Sequence, residues 1–129
     1  MNYKNADVLD EYKDDRDFQA DVIVFRLGEN TLNEDKPLFK ESLKKFIEFI
    51  APTSKVIFTT CFWENEIVDY AIESYAKERN AVCVNCCFSK DEKNMAIGQF
   101  EHGGVAMHPS DAGMEEIAKA IFEVFKESL

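Results

Sequence analysis

The sequence predicts one α/β domain over residues 1–129, with helices on both faces of a mostly parallel sheet. Three continuous apolar runs have the length and β-branched composition of strands buried on both faces: Asp21–Leu27, Lys55–Phe62 and Ala81–Cys87. Helical patterns follow each run, and such alternation with short connections is typical of right-handed β-α-β units. With 129 residues, 46% of them hydrophobic, the chain is long enough for one packed core.

Apolar residues at helical spacing indicate three helices. The first begins at Asn33 or Asp35, the second ends near Asn80, and the third begins at Ser110 or Asp111. Each helix is expected to bury one apolar stripe. The stripes are Phe39, Leu43, Phe46, Ile47 and Ile50 in the first helix; Ile67, Val68, Ala71, Ile72, Tyr75 and Ala76 in the second; and Met114, Ile117, Ala118, Ile121, Phe122 and Phe125 in the third.

The charge of the chain limits its partners. Fifteen basic and twenty-five acidic side chains give a net charge of −10, which disfavours binding to nucleic acid and to anionic lipid surfaces. No apolar run reaches the roughly 20 residues that span a bilayer, and the polar N-terminus has no signal-peptide core. We therefore expect no nucleic-acid or membrane partner and a cytoplasmic location. Residues 1–19 are polar and acidic and predict a surface helix or loop packed by one side.

Four cysteines lie in or beside the predicted strands, where a free thiol behaves as a small buried hydrophobe: Cys61, Cys83, Cys86 and Cys87. Cys83 and Cys86 have the C-x-x-C spacing of a redox pair or of half a zinc site. Because this spacing falls within a strand and no second ligand pair exists, we expect core packing and no bound metal.

Two polar groups are expected at the carboxyl edge of the sheet, where open parallel sheets bind ligands. Asn30 follows the first strand after Gly28, and His108 precedes the last helix. A neutral imidazole can accept a proton from a hydroxyl, and an asparagine amide can donate a hydrogen bond to an oxyanion. Taken alone, His108 is more typical of a capping or loop histidine beside a helix start than of a catalyst, and Asn30 is equally typical of a turn residue. Phe62-Trp63, after the second strand, is expected mainly to cover the sheet edge.

These segments together resemble a known family. Residues 21–30, which end in Gly28-Glu29-Asn30, resemble the Gly-x-Asn block of the SGNH (GDSL-type) hydrolases, and His108-Pro109 with Gly113 resembles their final block. The resemblance extends from about residue 20 to the C-terminus. It implies a three-layer α/β/α sandwich with a mostly parallel, flavodoxin-like sheet, and ester hydrolysis without a cofactor. It also implies that His108 is the general base and that Asn30 is the oxyanion-hole donor, presented by Gly28.

The chain departs from the family in three places. The Gly-Asp-Ser block and the glycine block are absent, so this chain holds neither the nucleophile nor the second oxyanion donor. Val105 stands where an aspartate often precedes the histidine, and Thr31 replaces an aspartate. The Nδ1 proton of His108 then needs another acceptor: a backbone carbonyl, Glu101 or Asp111. Cys87 or Ser89 could replace the serine, but the spacing favours neither.

The resemblance therefore predicts the C-terminal part of a hydrolase domain, with one or more N-terminal strands missing and no activity alone. The substrate of a complete protein would be a small-molecule ester, including acylated carbohydrates. An uncovered edge on the first strand predicts either a homodimer through that edge or cover by residues 1–19. The alternatives are a non-catalytic α/β domain for dimerisation or small-ligand binding and a metal or redox module built on the cysteines.

Overall fold

The computed structural model describes residues 9–99 and 103–128. Three short 3₁₀ turns cover Lys36–Leu38, Glu92–Asn94 and Val105–Met107. No helix within the described ranges is both long and apolar enough to cross a bilayer. The other elements, in chain order, are α1 (Lys13–Asp17), β1 (Val22–Phe25), α2 (Phe39–Ile50), β2 (Lys55–Thr59), α3 (Glu66–Glu78), β3 (Val82–Val84) and α4 (Asp111–Ser128).

The three strands form one parallel sheet in the order β1-β2-β3. Val24 is the register partner of Ile57, and Ile57 is in turn the partner of Val82. The helices α2 and α3 pack on one face of the sheet and α4 packs on the other. The predicted α/β class with a parallel sheet is confirmed, and the architecture is that of a partial α/β/α sandwich.

The face under α2 and α3 holds the larger core. Phe25, Val56 and Phe58 project from the sheet into this core and are buried. The stripe predicted for α3 is buried except for Ile67, which is exposed. Ile67 lies about 100° around the helix from Val68, beyond the arc that faces the sheet and α2.

Local chemistry sets the ends of α3. The Asn65 side chain accepts a hydrogen bond from the Val68 amide at 3.3 Å and so caps the first turn. Asn80 adopts a left-handed backbone with φ of 57°, which asparagine tolerates, and the helix stops before it. The predicted end of this helix near Asn80 is confirmed.

The face under α4 is covered less completely. Ile57 and Val84 pack against Ile117 in a second core cluster. The prediction that α4 buries its whole apolar stripe is wrong for three residues on one side of the helix. Met114, Ala118 and Phe122 are exposed. The stripe is wider than the arc of α4 that touches β2 and β3.

The N-terminal segment packs on α2. Tyr12 meets the Phe46 ring edge-on with 5.1 Å between centroids, and Arg16 lies 4.7 Å above the centre of the Phe49 ring. The part of the prediction that concerns residues 1–8 lies outside the described residues. Among the residues that the structure describes, no strand pairs with the outer edge of β1.

Candidate active site

A tight turn after β1 presents Asn30. Gly28 has φ of 133°, and a Cβ atom there would lie 3.0 Å from Cγ1 of Val68. The Gly28 carbonyl accepts hydrogen bonds from the Thr31 amide at 3.2 Å and from the Thr31 hydroxyl at 2.8 Å. These bonds close the turn and leave Asn30 exposed near its tip. The glycine is thus required by backbone conformation and by packing.

The turn is attached to the loop that follows β2. The Glu29 carboxylate accepts a hydrogen bond from the Phe62 amide. From the first turn of α3, Asp69 accepts hydrogen bonds from two amides of the same loop, that of Cys61 at 2.8 Å and that of Asn65 at 3.2 Å. Charge-assisted bonds to backbone amides are among the stronger hydrogen bonds in proteins. The loop after β2 is therefore a fixed platform at the carboxyl edge of the sheet.

The imidazole of His108 has a defined orientation. Its Nδ1 lies 3.0 Å from the carbonyl oxygen of Gly104, across the 3₁₀ turn Val105–Met107. A carbonyl can only accept, so Nδ1 carries the proton and Nε2 is left as the proton acceptor. The sequence left three possible acceptors for the Nδ1 proton, and in the structure the acceptor is a backbone carbonyl, that of Gly104. Glu101 lies outside the described residues, and Asp111 lies exposed in the first turn of α4.

The backbone around His108 is held by the segment that precedes it in the long loop. The His108 carbonyl accepts from the Ala96 amide at 3.0 Å. Ser110 donates through its amide to the Asn94 carbonyl at 2.8 Å and through its hydroxyl to the Lys93 carbonyl at 2.7 Å. The Ser110 hydroxyl also accepts from the Gly113 amide at 3.2 Å, which caps α4. The histidine thus precedes a helix whose start is fixed.

Gly113 lets α4 approach this loop closely. A Cβ atom at Gly113 would lie 2.2 Å from the Asn94 carbonyl oxygen, and the residue is buried. Real Cβ atoms do not approach an oxygen that closely, so any side chain would push the helix start away from the loop. The glycine that resembles part of the family's final block has a packing reason in this structure.

Trp63 joins the histidine segment to the platform after β2. Its indole nitrogen donates a hydrogen bond of 2.8 Å to the Met107 carbonyl, next to His108. Phe62, the preceding residue, is buried and binds Glu29 through its amide. The turn that bears Asn30 and the segment that bears His108 are therefore attached to consecutive residues of one loop, and both lie at the carboxyl edge of the sheet.

The thiols near this edge are poorly suited to act as nucleophiles. Burial raises the pKa of the Cys61 and Cys86 thiols, and the pKa of Cys83 is raised to about 11 for the same reason. The pKa of Cys87 is raised by burial and then by the carboxylates of Asp69 and Glu64. A protonated thiol is a weak nucleophile. The hydroxyl of Ser89 makes no hydrogen bond to any residue in the described part of the chain.

The C-x-x-C pair does not form a unit. Cys83 packs with the core under α2 and α3, whereas Cys86 belongs to the cluster under α4, and both are free thiols. Within residues 9–99 and 103–128, no group of three or more His, Cys, Asp or Glu side chains is arranged to hold a metal ion.

Sequence reasoning overlooked three charged residues at this edge. Glu29 and Asp69 bind the amides of the loop after β2, as described above. Arg26 lies against the Cys86 thiol, and its buried Nη1 has no hydrogen-bond partner among the described residues. One signal in the sequence could have identified Arg26: it is a charged residue directly after a buried strand.

Comparison with known proteins adds no relative. No protein-family model matches the chain, and no curated protein matches it.

Proposed function

We propose that this chain is the C-terminal part of an SGNH-type (GDSL-type) ester hydrolase whose serine lies on a segment outside these residues. In this proposal His108 is the general base, Asn30 is the oxyanion donor and Gly28 sets the turn that presents it. The observation that carries the proposal is the 3.0 Å contact between Nδ1 of His108 and the Gly104 carbonyl. That contact orients the imidazole with Nε2 as the nitrogen free to accept a proton, even though Val105 offers no carboxylate.

The chemistry follows from these roles. The serine oxygen attacks the ester carbonyl carbon while Nε2 of His108 accepts the hydroxyl proton. The carbonyl oxygen becomes an oxyanion, to which the Asn30 amide donates a hydrogen bond. As the carbonyl re-forms, the bond to the alcohol breaks and the imidazolium protonates the departing oxygen. Water then cleaves the acyl-serine by the same route, and no cofactor is needed.

The attachment of the two segments to one loop supports this assignment. Glu29 and Met107, each adjacent to a proposed functional residue, bind Phe62 and Trp63 of one loop. The proposed substrates are carboxylic or acetyl esters of small molecules, including acylated carbohydrates. The raised pKa values of the four thiols disfavour a cysteine in place of the serine, and in this proposal the chain alone is inactive.

The test is a fusion that places an apolar strand, a Gly-Asp-Ser turn and a helix before Met1, assayed on p-nitrophenyl acetate. The folded fusion is expected to hydrolyse the ester. His108→Gln should lower kcat by about 10³-fold or more, and Asn30→Ala by about 10²-fold. The fusion with alanine in place of its serine is the matched control. Hydrolysis that is unchanged by both substitutions, or absent from a fusion shown to be folded, would contradict the proposal.

A second candidate is a non-catalytic α/β domain for dimerisation or small-ligand binding. The outer edge of β1, with which no strand of the described ranges pairs, and the exposed side of α4 favour it. Under this candidate the same fusion is folded and inactive.

A further inference from the structure

One side of α4 and the neighbouring part of β1 form an apolar surface that is left in solvent. Met114 and Phe122 are 53% and 59% exposed, and Val24 is 40% exposed. Ala118, between the first two on the helix, is also exposed. We call these four residues the α4 ledge. Contiguous apolar patches on a protein surface are typical of interaction sites.

The four residues face the same space. Val24 is the register partner of Ile57, which packs under α4, so its side chain is on the α4 side of the sheet. Phe125, near the end of α4, packs in one cluster with Val22 at the start of β1, so the helix runs antiparallel to the strands.

The handedness of the fold sets the direction of the exposed side. At 3.6 residues per turn, Met114, Ala118 and Phe122 lie about 60° to 140° around the helix from buried Ile117. In a sheet with right-handed crossovers, that side of α4 faces β1 rather than β3. The ledge is therefore an L-shaped step: the side of α4 is its wall, the face of β1 is its floor, and the open edge of β1 is its border.

The shape of the step defines what can fill it. A helix packs 8–10 Å from its neighbour, so a helix beside α4 would lie about half a strand spacing beyond β1. A strand paired with the outer edge of β1 would lie one full strand spacing beyond it, so the helix would cover the junction between β1 and the added strand. One strand with one helix therefore satisfies both the outer backbone edge of β1, with which no described strand pairs, and the apolar ledge.

A second copy of the chain fits less well. If two β1 strands paired edge to edge, the two α4 helices would lie about 19 Å apart, given a strand spacing of about 4.8 Å. That separation is twice the distance of packed helices, so both ledges would remain uncovered. Pairing of two copies satisfies the strand edge but not the side chains.

We propose that the α4 ledge and the open edge of β1 bind a separate polypeptide segment made of an apolar strand followed by a basic amphipathic helix. The basic character follows from charge, because the chain has a net charge of −10 and Asp111 borders the ledge, while the neighbouring Glu115 is paired with Lys119 at 3.1 Å. The binding does not depend on the proposed esterase activity. If that function is correct, the same segment also supplies the serine beside His108, and this step alone rests on the proposed function.

The test titrates the full chain into a fluorescent synthetic peptide of about 25 residues, with an apolar strand, a turn and a basic amphipathic helix. Saturable one-to-one binding is expected. Phe122→Glu and Met114→Glu should each weaken it by about tenfold or more, since a buried apolar side chain contributes about 1.5–3 kcal/mol. Tyr70→Glu, at an exposed apolar residue of α3 on the opposite face, is the matched control and should bind normally. Circular dichroism verifies that each variant is folded.

The outcomes separate this inference from the proposed function. Absence of binding, or binding unaffected by both ledge substitutions, overturns the inference. Dimerisation of the chain alone that Phe122→Glu abolishes assigns the ledge to a second copy and also overturns it. Binding of a serine-containing peptide without ester hydrolysis supports the inference and contradicts the proposed esterase. Activity of the covalent fusion without binding of the free peptide does the reverse.

Discussion

The face of the sheet under α2 and α3 buries the aromatic side chains at its centre, whereas the face under α4 leaves a valine exposed on each outer strand, Val24 of β1 and Val82 of β3. β1 displays both conditions in adjacent residues: Phe25 points to the first face and is buried, while Val24 points to the second and is exposed. Both residues are typical of a strand that is buried on two faces. Apolar composition therefore indicates that a side chain can be buried, whereas the elements packed beside it decide whether it is buried.

The largest expected effect contrasts one phenylalanine from each face. Phe58 is fully buried under α2 and α3, with its ring 5.9 Å from that of Phe25 and 5.8 Å from that of Tyr75. Phe58→Ala should lower the free energy of unfolding by about 3–5 kcal/mol. Phe122→Ala is its matched control on the ledge and should change stability by no more than about 0.5 kcal/mol. Urea unfolding followed by circular dichroism measures both.

Similar losses from the two substitutions would show that Phe122 is covered in solution. The comparison between the faces would then fail for the isolated chain, and a partner already bound to the ledge would be the cause to seek. A concentration-dependent loss for Phe122→Ala would identify that partner as a second copy.

A smaller effect is expected where α4 meets the loop before His108. Gly113→Ala introduces a Cβ atom 2.2 Å from the Asn94 carbonyl oxygen, and this clash should lower the free energy of unfolding by about 1–3 kcal/mol. Alanine favours helix by about 1 kcal/mol over glycine, so a net loss shows that the contact outweighs propensity. Gly103→Ala, whose Cβ would meet nothing within 4 Å, is the matched control.

A structural readout accompanies this measurement. The substitution should also weaken the contact of His108 with Gly104, because Ser110 and His108 are bound to the same loop. Nitrogen-15 NMR of the imidazole should show the Nδ1–H form in the parent chain and a mixture of tautomers in Gly113→Ala. Unchanged stability together with an unchanged tautomer would contradict the packing role assigned to Gly113.

Much of the fold could be predicted from the sequence because its cues are local. Apolar runs located the strands, and the turn chemistry of Asn80 located the end of α3. The burial of α4 could not be predicted, because Ile117 and Phe122 differ only in the direction each faces. Whether a residue that faces a given direction is buried depends on the positions of β1 and β2, which the sequence of α4 does not encode.

The sequence indicated the residue types of the candidate site but not the hydrogen bonds that hold its segments in place. Gly28 and Asn30 stand out in the sequence because both belong to one short turn, whose requirements are local in the chain. The bond between Trp63 and Met107 joins residues 44 positions apart, and no pattern in either segment encodes it. The Gly104 acceptor is a backbone carbonyl, which every residue carries, so its identity depends on the 3₁₀ turn alone.

The smallest expected effect is a pH dependence of stability, caused by a thiol that packs against the core under α2 and α3. Burial raises the pKa of Cys83 from 9.0 to about 11, so the folded protein holds this proton more tightly than the unfolded chain does. The stability due to this thiol is complete below pH 9 and is lost as the pH rises toward about 11. Differential scanning calorimetry under reducing conditions should show Tm falling over that range.

Cys83→Ala separates this thiol from the other groups that titrate at high pH. The variant should have a lower Tm at pH 7, where its lost packing is measured alone, and a shallower fall between pH 9 and about 11. An equally steep fall would mean that Cys83 already reaches water in the folded chain. The face under α2 and α3 would then be open near β3, and the difference between the two faces would be one of degree rather than of kind.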